Sequence, residues 1–150
     1  MYMMSASLTE LVQNVQMNMP TTDIVSCFDI LNQYVGNDWR EYATFSNDDK
    51  YQRNLVYKDD NFDMYVICWK GNQQSQFHDH AQFGCLFRVL QGNVTEIRKN
   101  PDVYQTKNMT TYNVGDINYI NNSQGTHKII NPSNQPAVTL HIYAPSNSLT

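Results

Sequence analysis

The chain has 150 residues, of which 41% are hydrophobic and only 16% charged, with a formal net charge of -4 at pH 7. This length and hydrophobic content fit one globular domain with a single core rather than a disordered chain. Lysines and arginines are scattered along the sequence with no run longer than Arg98-Lys99, so we expect neither nucleic acid nor an anionic membrane as a partner.

The N-terminal twenty residues lack the basic region and the continuous apolar region of a signal peptide. No stretch approaches 18 consecutive apolar residues, so nothing is expected to span a membrane. Cys27, Cys68 and Cys85 are odd in number and widely spaced, which argues against a disulfide framework. We therefore expect a cytoplasmic protein, and we expect it to be a monomer.

Two helices are predicted to open the chain. In the first, Ser7 and Glu10 are spaced as a capping box, and an apolar face follows before Pro20 ends the helix. The second is predicted to run from about residue 22 to Gly36, with one more helical turn between residues 39 and 45. We expect these helices to serve packing rather than chemistry.

Short runs of β-branched and aromatic residues follow, separated by turn residues. The predicted strands are 53–57, 64–69, 84–90, 94–98, 112–114, 116–120, 128–131 and 137–143. Many short strands with tight turns are typical of a β-sandwich or a small barrel.

Four histidines occur in the chain, and all lie in the strand-rich region. His78 and His80 are two residues apart, so on a strand their side chains lie on the same face. With His127 from a neighbouring strand they can form a three-histidine site that leaves the opposite coordination positions open. Taken alone, the pair could equally be surface or hydrogen-bonded histidines.

The surrounding spacing favours a metal site. His80 is followed at fixed distances by Cys85 and Gly92, which is the layout of the first cupin motif. A segment from Gly115 through His127 to Asn131 resembles the second cupin motif, with a turn about two residues longer than usual. These motifs imply a mainly β fold: a single cupin-type β-barrel, also called a double-stranded β-helix or jelly roll, preceded by short N-terminal helices. We predict one domain over residues 1–150, helical at about 5–45 and barrel-forming at about 50–145.

Cys85 stands where cupins usually carry a glutamate ligand. Three neutral imidazoles leave the charge of Fe(II) uncompensated, which favours an anionic ligand brought by the substrate. A thiolate is a soft anion that suits iron. The alternative interpretation of Cys85 is a small buried hydrophobic residue.

The C-terminal strand carries a second polar pattern. Thr139, His141 and Tyr143 alternate with Leu140 and Ile142, so the three polar side chains share one face. They can form a hydrogen-bonded chain in which His141 positions the Tyr143 hydroxyl. A core network that only rigidifies the barrel is the alternative.

With these patterns together, the sequence resembles the cysteine dioxygenase family over roughly residues 51–145. The segments that carry the resemblance are YQRNLV (51–56), ICW (67–69), HDH (78–80) with Cys85, QGN (91–93) with Glu96, GDINYIN (115–121) and AVTLHIY (137–143). The resemblance implies one Fe(II) per chain, bound by His78, His80 and His127, and the substrates L-cysteine and O2, with cysteine sulfinic acid as product.

The resemblance also implies roles for other residues. Arg53, with Tyr51 beside it, would pair with the substrate carboxylate, which a planar guanidinium can grip with two hydrogen bonds. Cys85 and Tyr143 would lie near the iron and could join in a thioether crosslink. Trp69 would be a wall of the pocket and Thr139 a hydroxyl near the substrate. Without the resemblance, Arg53 reads as a surface arginine and Trp69 as ordinary core.

Three alternative functions compete with this interpretation. Dioxygenases for thiols such as 3-mercaptopropionate lack the arginine and the cysteine found here at positions 53 and 85. A non-catalytic cupin that binds a metal or a small ligand is disfavoured because the four histidines and Tyr143 are all present. A hydrolase using Cys85 has no histidine pattern outside the predicted metal set to activate it.

The chain ends at Thr150, whereas longer members of that family continue well beyond the position of Tyr143. We expect any pocket closure that such a tail provides to be absent or supplied by another segment.

Overall fold

A computed structural model describes residues 4–79, 82–121 and 124–146. Two α-helices come first, α1 (Leu8–Met17) and α2 (Phe28–Asn32), with 3-10 helices at Ile24–Cys27 and Asp38–Tyr42. The strands that follow are β1 (Gln52–Lys58), β2 (Asp63–Trp69), β3 (Cys85–Gln91), β4 (Asn93–Lys99), β5 (Lys107–Asn113), β6 (Ile117–Ile120), β7 (Thr126–Ile130) and β8 (Ala137–Tyr143).

Helix α1 forms where the sequence predicts it. The Ser7 hydroxyl accepts a hydrogen bond from the Glu10 backbone N–H at 3.1 Å, which caps the first turn. Its apolar face, predicted from the spacing of the hydrophobic residues, is buried. The helix therefore rests on an N-terminal cap and on core packing together.

The second predicted helix is broken into two short pieces. Ile24, Val25 and Ser26 open it, and these residues are poor helix formers. Asp23 caps the segment through a hydrogen bond from the Val25 backbone N–H at 2.9 Å, which starts a 3-10 turn. Helix α2 begins only at Phe28 and ends four residues before Gly36.

The strands form two antiparallel sheets. The larger has the order β1-β2-β8-β3-β6 and the smaller the order β5-β4-β7. One cluster of buried residues joins the helices to one face of the larger sheet, and a second lies between the two sheets. The functional side chains described below project into the space between the sheets.

Every residue of β8 is buried because both of its faces are covered. Val138, Leu140 and Ile142 pack in the helical cluster, as the alternation in the sequence predicts. Thr139, His141 and Tyr143 lie on the other face, toward the smaller sheet. The helices thus close one side of the sheet so that its central strand can present polar groups on the other.

Strand β5 is longer than its predicted core at 112–114. It pairs with β4 in continuous register from Lys99↔Lys107 to Asn93↔Asn113. Its side chains are almost all exposed, so no alternation of apolar residues marks it in the sequence. Backbone pairing at the edge of the sheet defines this strand.

Candidate active site

A cleft of about 700 Å³ opens between the two sheets. Its walls include eight of the residues singled out in the sequence: Tyr51, Arg53, Trp69, His78, Cys85, His127, His141 and Tyr143. Thr139 lies behind this wall, fully buried. His80, the remaining predicted ligand, lies outside the described residues.

His78 and His127 converge in the cleft from chain segments 49 residues apart. The backbone N–H of His78 donates to the His127 carbonyl at 3.1 Å, so the two residues form an isolated β-bridge. Their Nε2 atoms are 3.1 Å apart. The bridge places both imidazoles on the same side of the backbone, where one ion could contact both.

The donor set fits a metal ion. The Nδ1 atom of His78 lies 2.8 Å from the Gln76 carbonyl, and that of His127 lies 2.8 Å from a Glu96 carboxylate oxygen. Both partners can accept the Nδ1 proton, and a neutral ring with its proton on Nδ1 has its lone pair on Nε2, which faces the other histidine. Two nitrogens bound at about 2.1 Å to one ion at right angles are about 3.0 Å apart. A shared cation would relieve the repulsion between the lone pairs.

Burial, and then the proximity of His127, hold the pKa of His78 below its ordinary value. The ring is therefore neutral at pH 7, the form in which imidazole binds a metal. Within the described residues no group of three histidine, cysteine or acidic side chains converges, and the predicted third ligand, His80, lies outside them.

Glu96 is a site residue that the sequence did not single out as functional. It is buried on β4, and its Oε2 accepts hydrogen bonds from His127, Asn118 and Arg98. Burial opposes ionisation, but these hydrogen bonds outweigh it and hold the pKa of the carboxyl below its usual value. The adjacent Arg98 cancels the carboxylate charge, so the pair adds no net charge to the histidine site.

A hydrogen-bonded chain runs through the interior wall of the cleft. The Trp69 indole N–H donates to Thr139 Oγ1 at 2.9 Å, and Thr139 Oγ1 lies 2.7 Å from His141 Nε2. His141 Nδ1 lies 3.0 Å from the Tyr143 hydroxyl. The structure therefore joins the three polar residues of β8 as their spacing predicts and adds Trp69, which is both cleft wall and hydrogen-bond donor.

One direction of this chain begins at Trp69 and agrees with what each group can donate or accept. The Trp69 N–H can only donate, and the Thr139 hydroxyl has one hydrogen to pass on to His141 Nε2. When Thr139 donates to His141 Nε2, His141 donates from Nδ1 to the Tyr143 oxygen and the Tyr143 hydrogen is directed elsewhere. Burial pushes the pKa of His141 well below and that of Tyr143 well above their ordinary values. Both groups are therefore neutral at pH 7.

Cys85 and Tyr143 face each other directly across β3 and β8. The two side chains share a small buried cluster with Ile120, and a hydrogen bond links the phenol to the sulfur. Burial raises the pKa of the Cys85 thiol, so the sulfur is protonated at neutral pH. The arrangement allows the Tyr143 hydrogen to reach either the Cys85 sulfur or a molecule bound in the cleft.

Arg53 enters the cleft from β1. Its guanidinium lies 4.4 Å from the centre of the Tyr65 ring, and Tyr65 packs edge-on against Tyr143 at 5.9 Å. Tyr51 stacks on Trp69 with 4.5 Å between ring centres. Tyr65 is a second residue that the sequence did not single out; its position between Arg53 and Tyr143 depends on strand pairing.

Three lysines lie close to the cleft at Phe77. Phe77 lines it, and the amino groups of Lys99, Lys128 and Lys107 lie 4.0, 5.2 and 5.8 Å from the centre of its ring. These lysines are distant in the sequence and come together because β4, β5 and β7 are neighbours. Their combined charge favours the approach of an anion to the cleft.

The chain is similar to a known protein family. The family model described as cysteine dioxygenase type I matches residues 3–149. Cysteine dioxygenase type 1 of Rattus norvegicus is 34% identical over 126 residues, and that of Danio rerio 32% identical over 126 residues. Both alignments cover 77% of this chain, which spans 62% of the length of these relatives.

The fold also has solved relatives. A conserved protein of Klebsiella pneumoniae with a double-stranded beta-helix domain superposes with a TM-score of 0.61 at 22% identity, covering 73% of this chain and 89% of that protein. This confirms the predicted mainly β, cupin-type fold with short helices before it. No helix of the described residues is long and apolar enough to cross a lipid bilayer. The chain belongs to the cysteine dioxygenase type I family.

Proposed function

We propose that this protein is an Fe(II)- and O2-dependent dioxygenase that converts the thiol of L-cysteine to cysteine sulfinic acid. One iron per chain would be held by His78, His80 and His127. The observation that carries the proposal is the 3.1 Å approach of two histidine Nε2 atoms inside a cleft that Arg53 and Tyr143 also line. Membership of the family supports it, and so do the relatives named cysteine dioxygenase.

When bound, the iron supplies the chemistry that transfers both atoms of O2 to the substrate sulfur. No proton or electron is left over, because a thiol plus O2 has the composition of a sulfinic acid. The histidine ligands are neutral, so the metal keeps its positive charge and favours a substrate that brings a thiolate. The protein contributes positioning and charge complementarity.

Arg53 would bind the substrate carboxylate. Its guanidinium lies on the Tyr65 ring and lines the cleft with the histidines. Two parallel hydrogen bonds from a guanidinium fix both the position and the orientation of a carboxylate. Tyr51, stacked on Trp69, would form the adjacent wall and limit the size of the substrate.

Tyr143 would be the hydrogen-bond donor to the reacting substrate. Thr139 would donate to His141 and His141 to the phenol oxygen, so that the Tyr143 hydrogen is directed into the cleft. The raised pKa of Tyr143 keeps that hydrogen in place at neutral pH. The phenol can therefore stabilise negative charge that develops on the substrate.

The test is anaerobic loading of the purified protein with Fe(II), followed by O2 consumption and sulfinate formation with L-cysteine and with 3-mercaptopropionate. We expect O2 uptake and sulfinate to match one for one with cysteine. Faster turnover of 3-mercaptopropionate than of cysteine would identify 3-mercaptopropionate as the substrate. Iron binding without oxidation of either thiol would support the non-catalytic alternative.

Three further expectations belong to this proposal. The thioether between Cys85 and Tyr143 would replace one S–H and one ring C–H with a C–S bond, and O2 would accept the two hydrogens. The strand order gives this bond a short path, since the two residues are paired across β3 and β8.

A cytoplasmic location and a monomeric state remain predictions.

A further inference from the structure

Glu96 lies where β4, β6 and β7 meet behind the histidine pair. Its Oε2 receives the His127 Nδ1–H at 2.8 Å, the Asn118 amide at 2.7 Å and the Arg98 guanidinium at 3.1 Å. The side chain is 3% exposed. One buried carboxylate oxygen therefore collects three donors, of which one is a predicted metal ligand.

We propose that Glu96 is a positioning residue that sets the metal affinity of the site through His127. By accepting the Nδ1–H, it fixes the imidazole in the form whose lone pair is on Nε2 and prevents rotation of the ring. The inference rests on the proposed function only in taking His127 as a metal ligand. It does not depend on which thiol is oxidised.

Glu96 is itself held rigidly. Arg98 donates from Nη2 to Glu96, to Asn118 Oδ1 at 3.2 Å and to the Tyr119 carbonyl at 3.2 Å. Arg98 is also paired with His127 across β4 and β7. Asn118 belongs to the larger sheet, while Glu96 and His127 belong to the smaller one. The network thus connects the two sheets at the point where the metal would sit.

The alternative is that these contacts only satisfy buried polar groups. In that case Glu96 would affect the stability of the fold but not the form of the His127 ring or the binding of metal. Two measurements separate the roles: the tautomer of His127 in the metal-free protein, and the affinity for Co(II) added alone as a probe.

The tautomer is read from long-range proton–nitrogen NMR correlations in protein labelled with 15N-histidine. We expect His127 of the wild type to carry its proton on Nδ1. Co(II) affinity is read from the visible absorption of the bound ion. We expect Glu96→Ala to bind Co(II) about 10–100-fold more weakly than wild type. Glu96→Gln, whose amide oxygen can still accept from His127, should show a smaller loss.

Two controls isolate the mechanism. Thr95 lies on the same strand as Glu96, on the face away from His127. Thr95→Val removes a buried hydroxyl and its contact with Thr111, and should leave Co(II) affinity within about threefold of wild type. Glu96→Ala leaves the Arg98 charge unpaired near the metal, which could repel the ion directly. The double variant Glu96→Ala/Arg98→Met removes that charge and should still bind at least about tenfold more weakly.

The proposal is overturned by a wild-type His127 that carries its proton on Nε2, by a Glu96→Ala variant with wild-type Co(II) affinity, or by restored affinity in the double variant. If Glu96→Ala does not fold, the wild-type tautomer and Glu96→Gln decide the matter. If Glu96 positions His127 for Co(II) binding as expected but the wild type oxidises no thiol, the proposed function is wrong. The inferred role of Glu96 would still stand.

Discussion

The indole N–H of Trp69 donates to the Thr139 hydroxyl at 2.9 Å, between diagonal positions of β2 and β8. Both side chains are buried. The Thr139 oxygen accepts in this contact, because the indole can donate but not accept, and the hydroxyl hydrogen is then available to His141 Nε2. Trp69, which the sequence predicts only as a wall of the pocket, is therefore also part of the hydrogen-bonded chain of the site.

Replacing Thr139 should show whether the hydrogen-bonded chain contributes to catalysis as well as to stability. Thr139→Val keeps the shape but leaves the Trp69 N–H and His141 Nε2 without their partner, at a cost of about 1–3 kcal/mol in the free energy of unfolding. We expect kcat for cysteine to fall at least about tenfold, measured as O2 uptake. Thr139→Ser, which retains the hydroxyl, should keep kcat within about threefold of wild type. Equal kcat in the valine variant would contradict a catalytic role for the chain.

Arg53→Met should weaken cysteine binding through the carboxylate alone. Loss of a charge-assisted pair of hydrogen bonds costs about 1.5–3 kcal/mol, which corresponds to a rise in KM of about 10–150-fold. Cysteamine, which lacks the carboxylate, should be oxidised by wild type and variant with similar KM. Arg40→Met, on the exposed surface over Trp39, serves as the matched control. An equal rise in KM for both thiols would show that Arg53 does not recognise the carboxylate.

Counting thiols should reveal the crosslink. Cys27, Cys68 and Cys85 are all buried, so native protein should react slowly with a thiol reagent at mildly alkaline pH. Unfolded protein should show three thiols before turnover with iron, cysteine and O2. After turnover it should show one thiol fewer, with an intact mass lower by two hydrogens. Cys85→Ser should show neither change, and a wild type that keeps all its thiols throughout would exclude the crosslink.

Stability should decline at alkaline pH because of the buried thiols. Burial, partly offset by a hydrogen bond from Asn54, raises the pKa of Cys68 from 9.0 to about 12. Below about pH 9 the thiol is protonated in both states. Above about pH 9 the unfolded chain releases the proton while the native protein keeps it, so the free energy of unfolding falls by about 1.4 kcal/mol per pH unit from this group.

Urea unfolding of wild type and Cys68→Ala between about pH 7 and pH 10.5 measures this contribution. The difference in unfolding free energy between the two proteins should be constant below about pH 8.5 and should shrink above about pH 9. A difference that stays constant over the whole range would show that the Cys68 pKa is not raised.

Arg88 should anchor the helical segment to the larger sheet. Its Nη1 donates to the carbonyls of Leu31 and Tyr34 at 3.1 and 2.6 Å, at the C-terminal end of α2. We expect Arg88→Met to lower the free energy of unfolding by about 2–3 kcal/mol, since buried carbonyls lose a charged donor. Arg40→Met should cost less than about 1 kcal/mol. Similar losses in both variants would contradict the anchoring role.

The strands and the first helix can be predicted from the sequence because each is encoded locally. The alternation of polar and apolar residues in β8 is enough to place Thr139, His141 and Tyr143 on one face. Strand β5 exceeds its predicted length because its exposed side chains carry no alternation. The prediction of a continuous second helix is wrong. Its apolar residues have helical spacing, but the residues of its first turn have poor helix propensity and form a 3-10 turn instead.

The sequence by itself determined which residue types the candidate site contains: histidines, an arginine, and a hydroxyl, an imidazole and a phenol in alternation. Only the tertiary structure decided which buried side chains form hydrogen bonds with them. Glu96 is one of 14 acidic residues, and although it falls in a segment that carries the family resemblance, nothing local shows that it reaches a histidine. It reaches His127 because β4 pairs with β7, and it is held by Asn118 because the two sheets pack face to face. Such contacts depend on strand order and register, which arise from long-range packing rather than from local pattern.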